Sequence, residues 1–481
     1  MKLSFGARTD TGKVREQNED NFLVDRNLML YVLCDGMGGH AAGIVASATA
    51  VNVVHEEIRA HRDVLKRFTD GEPGVTRRHI LDIVEGSVQR ACYRIWERAL
   101  RNPRERGMGT TLTMALFCGG RVFIGHVGDS RIYLHRDGAY WQLSEDHSLL
   151  AEMLKAGRIR SAEEVNERFR NAVTRAVGVQ ESVDVDTLDL AVLPGDRFLL
   201  CSDGLYAHAD DAAMKAHLER SGDDDSVCAA LIAHANADGG TDNVTAVVVT
   251  VDQVPNVDTD EVRLALRTLG SLILFRYLDY PELLRVMNMC EARLLHDGDS
   301  VFRPGEAEDC AYILLRGRVR IRRENVVVAI MEAGSHFGEM ALVDSTPRTA
   351  EATAIEETSM LLMHRRSFFE LMRNNPTLAV KLLWSLVKAL TVRLRRTTDE
   401  LGLLKGLYHS VRPEEVGSSE EWLEPSDVAE LPRRARTDET DPAVPRPPLP
   451  PRRPPPPPRT TSVPPLIGNP LPRLEDLLKT P

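Results

Sequence analysis

Leu28-Met29-Leu30-Tyr31-Val32-Leu33-Cys34-Asp35-Gly36-Met37-Gly38-Gly39-His40 is an apolar run of strand length that ends on an aspartate and then breaks into glycine. The run predicts a strand and the glycines predict its end. A carboxylate just past a strand stands at the rim of a sheet. Four more aspartates occupy short glycine-bearing or polar motifs, most of them close behind an apolar run. They are Asp20 in Arg15-Glu16-Gln17-Asn18-Glu19-Asp20, Asp129 in Val127-Gly128-Asp129-Ser130-Arg131, Asp203 in Ser202-Asp203-Gly204, and Asp242 in Gly239-Gly240-Thr241-Asp242-Asn243. Rims far apart in sequence can converge, and converging carboxylates repel unless a cation stands among them. Oxygen donors select magnesium, manganese or calcium over zinc. One Asp-Gly pair marks only a turn; five in these contexts point to a metal centre.

A chain of 481 residues is too long for one core, so two or three domains are expected. Hydrophobic content of 43% and charged content of 27% are those of soluble globular protein. A formal charge of -11 argues against a general nucleic-acid-binding role, which needs a basic face. The 7 cysteines include no C-x-x-C pair and read as buried thiols in a reducing compartment. No signal peptide is visible, and Ala41 to Val54 is too short and polar to span a bilayer. The expected location is the cytoplasm, with no membrane contact.

Strand-length runs recur at Thr111 to Cys118, Arg121 to Val127, Arg131 to Leu134, Arg197 to Cys201 and Val244 to Val251. Helix-like segments lie between them, at Ala41 to His61, Arg77 to Leu100, Leu149 to Ala156 and Asp211 to Ala237. The mixture is α+β. Val254 to Asp260 reads as a linker, and Glu261 to Tyr277 as an amphipathic helix. Short runs divided by Gly298, Gly305, Gly317, Gly334 and Gly338 then predict a small β-roll or barrel. From Arg366 to about Leu404 the spacing turns helical. Its stripe of Leu371, Leu378, Leu382, Leu386 and Leu390 is expected to pack on the roll, with dimerisation as the second option. From about Gly417 the chain turns polar and then proline-dominated, which predicts a disordered tail of polyproline II character over 417–481. That tail reads as a spacer, or as a ligand for proline-recognising domains.

The five aspartate motifs, in this order, resemble the metal-dependent serine/threonine protein phosphatases of the PPM (type two C) family. The resemblance covers roughly residues 1–252 and includes Gly107-Met108-Gly109-Thr110-Thr111-Leu112-Thr113 and the closing Val244 to Val249 strand. It implies two packed antiparallel sheets flanked by helices, with two manganese or magnesium ions in the cleft between sheets. Such ions activate water and neutralise the phosphoryl oxygens. Asp35 would bridge them and Gly36 would offer its carbonyl. Asp203 and Asp242 would hold one ion, and Asp20 would act through water. Asp129, with Asp203, would hold a third, weaker ion. Glu19 and Asn243 would hold ligands in place. Arg15 stands where the family places its phosphate-gripping arginine, whose fork suits phosphate oxygens; Arg131 would either assist or only pair with a neighbouring carboxylate. Many eukaryotic relatives carry a histidine two residues after the bridging aspartate. Here that position is Met37, so His40 or water would supply the leaving-group proton. Ser148 to Ala172 matches the position of a flap beside the cleft, or is a solvated helical face.

Phe337-Gly338-Glu339-Met340-Ala341-Leu342 and Pro347-Arg348-Thr349-Ala350 resemble the phosphate-binding cassette of cyclic-nucleotide-binding domains, over about residues 272–395. The resemblance implies that Gly338, Glu339, Met340 and Ala341 open a short helix towards the cyclic phosphate. Arg348 would bind the same phosphate, Glu339 the ribose 2′-hydroxyl, and the long helix after Arg366 would serve as a lid on the β-roll. Thr349 leans towards cGMP, with cAMP still open. Some members of this fold keep the barrel without the ligand.

The expected architecture is a phosphatase domain over 1–252, a linker and connecting helix over 253–271, and a nucleotide-binding domain over 272–404, followed by the tail. The expected activity is hydrolysis of phosphoserine and phosphothreonine in proteins phosphorylated by a partner kinase, tuned by cAMP or cGMP. One alternative is a catalytically dead scaffold acting as a nucleotide receptor, against which the intact aspartate set argues. The other is a phosphatase acting on a regulator of a transcription factor.

Overall fold

Alternation along Leu30 to Cys34 sets the layering. Leu30, Val32 and Cys34 face one core, which they share with Ala46, Ala50 and Val54 of helix Ala41–Ala60 and Ile80, Val84 and Val88 of helix Arg77–Arg101. Tyr31 and Leu33 face a second core with Ile132, Leu134, Phe198, Leu200, Val247 and Val249. A strand buried on both faces has this pattern, because successive side chains point opposite ways. The computed structural model describes residues 1–411, except 39–40, 167–168, 170–171, 221, 256–257, 308 and 345–346. His40, part of the linker and the tail 417–481 therefore lie outside the described residues.

The first sheet runs in the order Lys2–Asp10, Val244–Gln253, Arg197–Cys201, Arg131–Arg136, Ala139–Gln142. The second runs Asp20–Asp25, Leu30–Met37, Leu112–Cys118, Arg121–Val127, Asp186–Ala191, with Gly109–Thr110 paired to Leu30–Met37. Every strand pair is antiparallel. The outer face of the first sheet, with Leu199, Cys201, Ala246 and Val248, packs on helices Asp211–Glu219 and Asp224–Ala237.

Beyond Gln253, two four-stranded sheets close on Leu295, Phe302, Tyr312, Leu314, Val319, Phe337 and Met360. Helices Thr259–Ser271, Tyr280–Met289 and Arg365–Asn374, with the start of Pro376–Val411, share another core with Ile313, Leu315, Leu361 and Met363. Leu378, Leu382 and Leu386 are buried in it, whereas Leu390 is exposed. The expected long helix from Arg366 is two helices. Pro376 forbids a continuous turn and drives Asn375 to an extended φ of -139, from which its side chain caps the next helix at Leu378. The segment Asp211 to Ala237 likewise divides, around Gly222 and the cap Asp223.

Residues Met1–Leu390 form one unit, and a second begins at Thr391. Within the first, helix Tyr280–Met289 lies on strand Asp186–Ala191. Leu284 enters the core between the two N-terminal sheets. Tyr280 stacks on Trp141 at 3.9 Å between ring centres. The buried Arg136 donates to Asp196, to the Ala191 carbonyl and to the Tyr280 hydroxyl. Arg121 donates to Asp189 and to Asn288 Oδ1. None of the seven cysteines is in a disulfide, and no helix among the described residues is long and apolar enough to cross a membrane.

Candidate functional site

Antiparallel pairing sets Asp20 directly opposite Asp35, at the same end of neighbouring strands. Asp203 opens the short helix Asp203–Tyr206 immediately after strand Arg197–Cys201, and Asp242 stands two residues before strand Val244–Gln253. Asp129 follows strand Arg121–Val127. Strand ends from both sheets thus bring the five carboxylates to one rim.

Their electrostatics record the crowding. Burial, with Asp203 and Asp242 adding repulsion, raises Asp20 to about 7. Burial and then the Asp203 charge raise Asp129 to about 7. Burial followed by Asp242 raises Asp203 to about 6, even though its carboxyl comes within hydrogen-bonding reach of Asp35. Asp35 is pushed well up by burial and by the other four aspartates. One oxygen of Asp20 accepts from Ser202 at 2.8 Å and Thr245 at 2.6 Å, while Oδ1 is buried with no hydrogen-bond partner. A buried carboxylate oxygen without a donor costs stability. The all-oxygen donor set fits hard divalent cations, and Asp20 Oδ1 gives such a cation an acceptor that nothing else uses.

Close backbone approach shapes the rim. A side chain on Gly36 would meet the Gly43 carbonyl at 2.3 Å, and one on Gly43 would meet Glu19 Oε2 at 2.4 Å. Glycine at both positions lets the first turns of helix Ala41–Ala60 press against the rim, leaving the Gly36 position uncovered by any Cβ. Asn243 accepts from the Glu19 amide at 2.8 Å and donates to the Thr11 and Gln17 carbonyls, pinning the loop that carries Arg15. Arg15 donates to Asp242 at 2.6 Å, so its guanidinium is held at the edge of the cluster. Arg131 forms a forked pair with Asp146 and lies 3.6 Å over the Tyr206 ring, away from a role of its own at the rim.

Sequence reasoning missed Ser202, Thr245, Asp146 and Gly43. It also missed the buried pair His126 and His147, whose rings lie 5.0 Å apart. His147 Nδ1 accepts from the Gly128 amide next to Asp129, and Arg175 and Asp186 close the far side of that ring. Ser202 and Thr245 touch Asp20 from across the sheets, which no local pattern records.

At the second site, Gly338 takes the left-handed φ of 74 that starts the 3-10 turn Glu339–Leu342. Glu339 and Ala341 are buried, while Met340 and Thr349 are exposed. The Ala341 amide already donates to the Gly338 carbonyl, and its methyl points inward. Arg348 donates to the Cys310 carbonyl at 2.6 Å and lies 4.5 Å over the Phe302 ring. Its Nε is buried without an acceptor. A guanidinium with a buried unused donor suits an anion.

The family model for Protein phosphatase 2C matches residues 12–238. A serine/threonine phosphatase stp of Listeria welshimeri is 37% identical over 245 residues, which are 50% of this chain and 93% of that protein. The chain belongs to the protein phosphatase 2C family. It is a protein serine/threonine phosphatase. The serine/threonine protein phosphatase PstP of Mycobacterium tuberculosis is 37% identical over 251 residues, 52% of this phosphatase and 45% of that protein. A crystal structure of a serine/threonine phosphatase PstP/Ppp from the same organism aligns at 34% identity and a TM-score of 0.46, covering 52% of the phosphatase and 99% of that chain. Residues 292–375 of the phosphatase match the model for the cyclic nucleotide-binding domain.

Proposed function

We propose that the five aspartates hold two manganese or magnesium ions, with a third weaker one, and that a cyclic nucleotide bound near Arg348 regulates their use. The observation that carries the first part is the convergence of five carboxylates, three of them raised to about 6 or 7 by burial and mutual repulsion, around the partnerless Asp20 Oδ1. Asp35 would be shared, with Gly36 contributing its carbonyl. Asp203 and Asp242 would hold one ion, Asp20 would act through water, and Asp129 with Asp203 would hold the third. When bound, divalent ions supply charge neutralisation and acidify water. Arg15 would turn from Asp242 to the phosphate, since one fork can exchange a carboxylate for phosphoryl oxygens. Asn243 keeps the Arg15 loop in place. The substrate is phosphoserine or phosphothreonine in a cytoplasmic protein phosphorylated by a partner kinase.

In this reading the phosphatase domain ends near 252, a linker and helix follow to 271, and the nucleotide domain runs from 272 to 404. Glu339 and Arg348 would take the ribose and phosphate of cAMP or cGMP. Regulation is favoured by the way the two parts meet. Leu342, at the end of the cassette's first segment, shares a core with Val286 on the helix that carries Tyr280 and Asn288 onto the phosphatase strands. A groove is lined on one side by Asp146, Leu154 and Lys155 and on the other by Arg285, Asn375 and Lys381. It sets the flap helix Leu149–Lys155 against the break between the last two helices. The contacts fall on edge strands and spare the five aspartates. This favours control through the flap over direct coverage of the site.

The test is hydrolysis of a phosphothreonine peptide by the full chain in manganese, with and without each nucleotide. Activation by one nucleotide and silence in EDTA are expected. Full turnover in EDTA overturns the metal reading, and identical turnover with a nucleotide shown to bind overturns regulation.

A further inference from the structure

The rim of the β-roll carries a donor set unlike the aspartate cluster. Cys310 begins strand Cys310–Arg316 and His364 ends strand Thr358–His364, and the antiparallel register sets them opposite each other. Cys310 Sγ lies 3.0 Å from His364 Nδ1. Asp309 immediately precedes, and one donor atom from each of the three residues falls within 4.8 Å of the other two. The Arg365 amide donates to the Asp309 carbonyl at 2.8 Å, which holds the acidic residue at this corner. On the far side of the imidazole, Nε2 faces Glu291 Oε2 at 3.3 Å, from the neighbouring strand Cys290–Leu295. Thiol, imidazole and carboxylate thus meet from two strand ends, with a second carboxylate orienting the imidazole from behind.

We infer that Asp309, Cys310 and His364 form a binding site for a thiophilic divalent ion of the zinc class. A tetrahedral metal with bonds of roughly 2.0 to 2.3 Å keeps its ligand atoms about 3.3 to 3.8 Å apart, so a set of donors all within 4.8 Å of one another reaches it once the Cys310–His364 pair, now 3.0 Å apart, opens slightly. A thiolate and an imidazole select zinc over magnesium or calcium, the reverse of the all-oxygen aspartate site. A carboxylate on the second imidazole nitrogen fixes the tautomer that leaves Nδ1 free to ligate. Asp309 is exposed and Cys310 buried, so three protein donors line the inner side and water completes the outer one. Binding breaks the S–H bond of Cys310 and forms a metal–sulfur bond, and the thiol proton passes to solvent. The site clasps the start of one strand to the residue from which helix Arg365–Asn374 begins. The Cys310 carbonyl also accepts from Arg348, so the clasp stiffens the strand on which that guanidinium rests.

Cobalt distinguishes this site from the aspartate cluster, because only a thiolate ligand produces an intense sulfur-to-cobalt charge-transfer band in the near ultraviolet. The full chain, stripped with chelator and refilled with manganese, is titrated with cobalt and then with zinc. The band should grow to about one equivalent per chain, fall as zinc displaces cobalt, and persist in Asp35→Ala. It should vanish in Cys310→Ser and in His364→Gln, each checked for an unchanged far-ultraviolet spectrum. Glu291→Gln should retain it with an affinity lower by about 10- to 100-fold. Zinc should raise the melting temperature of the wild type but not of His364→Gln. No band in the wild type, or a band that survives both ligand substitutions, overturns the proposal.

Discussion

Asp242 touches both parts of the chemistry, since one oxygen accepts from Arg15 and the other from the Asn243 amide. Asp242→Ala or Asp35→Ala should lower the affinity for manganese by more than about 100-fold, beyond the loss of an outer partner, and should abolish peptide hydrolysis at ordinary manganese. Calorimetric titration with manganese and a circular-dichroism control check this; wild-type turnover by either variant sinks the assignment. Arg15→Ala should act differently, because in the proposed function the guanidinium would grip phosphate in ground and transition states alike. A charge-assisted contact is worth roughly 1.5–3 kcal/mol, so kcat/KM for a phosphopeptide should fall by about ten- to more than a hundredfold. Most of that fall should appear in KM. Manganese affinity should persist, since Arg15 donates to Asp242, a proposed ligand, and is none itself. An unchanged specificity constant rules the role out.

Among the secondary elements, strand Arg121–Val127 carries a buried titrating group, His126. His126 is buried, its Nδ1 beside Thr113 Oγ1 and its Nε2 beside the Glu145 carbonyl, which suits one neutral tautomer. Burial, reinforced by His147, lowers it from 6.5 to about 4. Between those two values the unfolded chain binds a proton that the folded chain refuses. The contribution of His126 is therefore complete above pH 6.5 and is lost as pH falls towards 4. Melting temperatures of wild type and His126→Gln, measured in manganese over that window, should converge as the pH drops; parallel curves refute the assignment. The Glu145 carbonyl and His147 lie just before helix Leu149–Lys155, so the proton on His126 bears on the start of that helix.

Across the whole molecule, helix Tyr280–Met289 is the piece shared by both parts. A ligand shifts an equilibrium only by its differential affinity for two states, so the proposed regulation requires that nucleotide alter what this helix does against strands Ala139–Gln142 and Asp186–Ala191. Tyr280→Ala removes the ring stacked on Trp141 and the hydroxyl that accepts from Arg136. It should leave nucleotide affinity within about twofold of wild type while shrinking the change in turnover that nucleotide causes. Arg348→Ala should do the reverse and lose most of the affinity itself. Calorimetry paired with phosphopeptide turnover separates the two, and a full nucleotide response in Tyr280→Ala would place the coupling elsewhere.

The aspartate motifs, the apolar runs between them and the cassette around Arg348 were legible in sequence, because each is local. Strand alternation, a carboxylate past a strand end and a glycine with positive φ are decided within a few residues. The proline that divides the last two helices was equally visible at Pro376 but yielded to the longer leucine stripe, which spans the break and packs on both sides. What no stretch of sequence contains is the opposition of Asp20 and Asp35, the hydrogen bonds from Ser202 and Thr245 that leave Asp20 Oδ1 alone, or the seating of Tyr280 on Trp141. Those depend on register and on which sheet faces which, set by burial of side chains more than a hundred residues apart. Periodicity along the chain determined the strands and named the acids; only the packing of two sheets decided that the acids share one site, because their convergence is a property of the distances between strand ends.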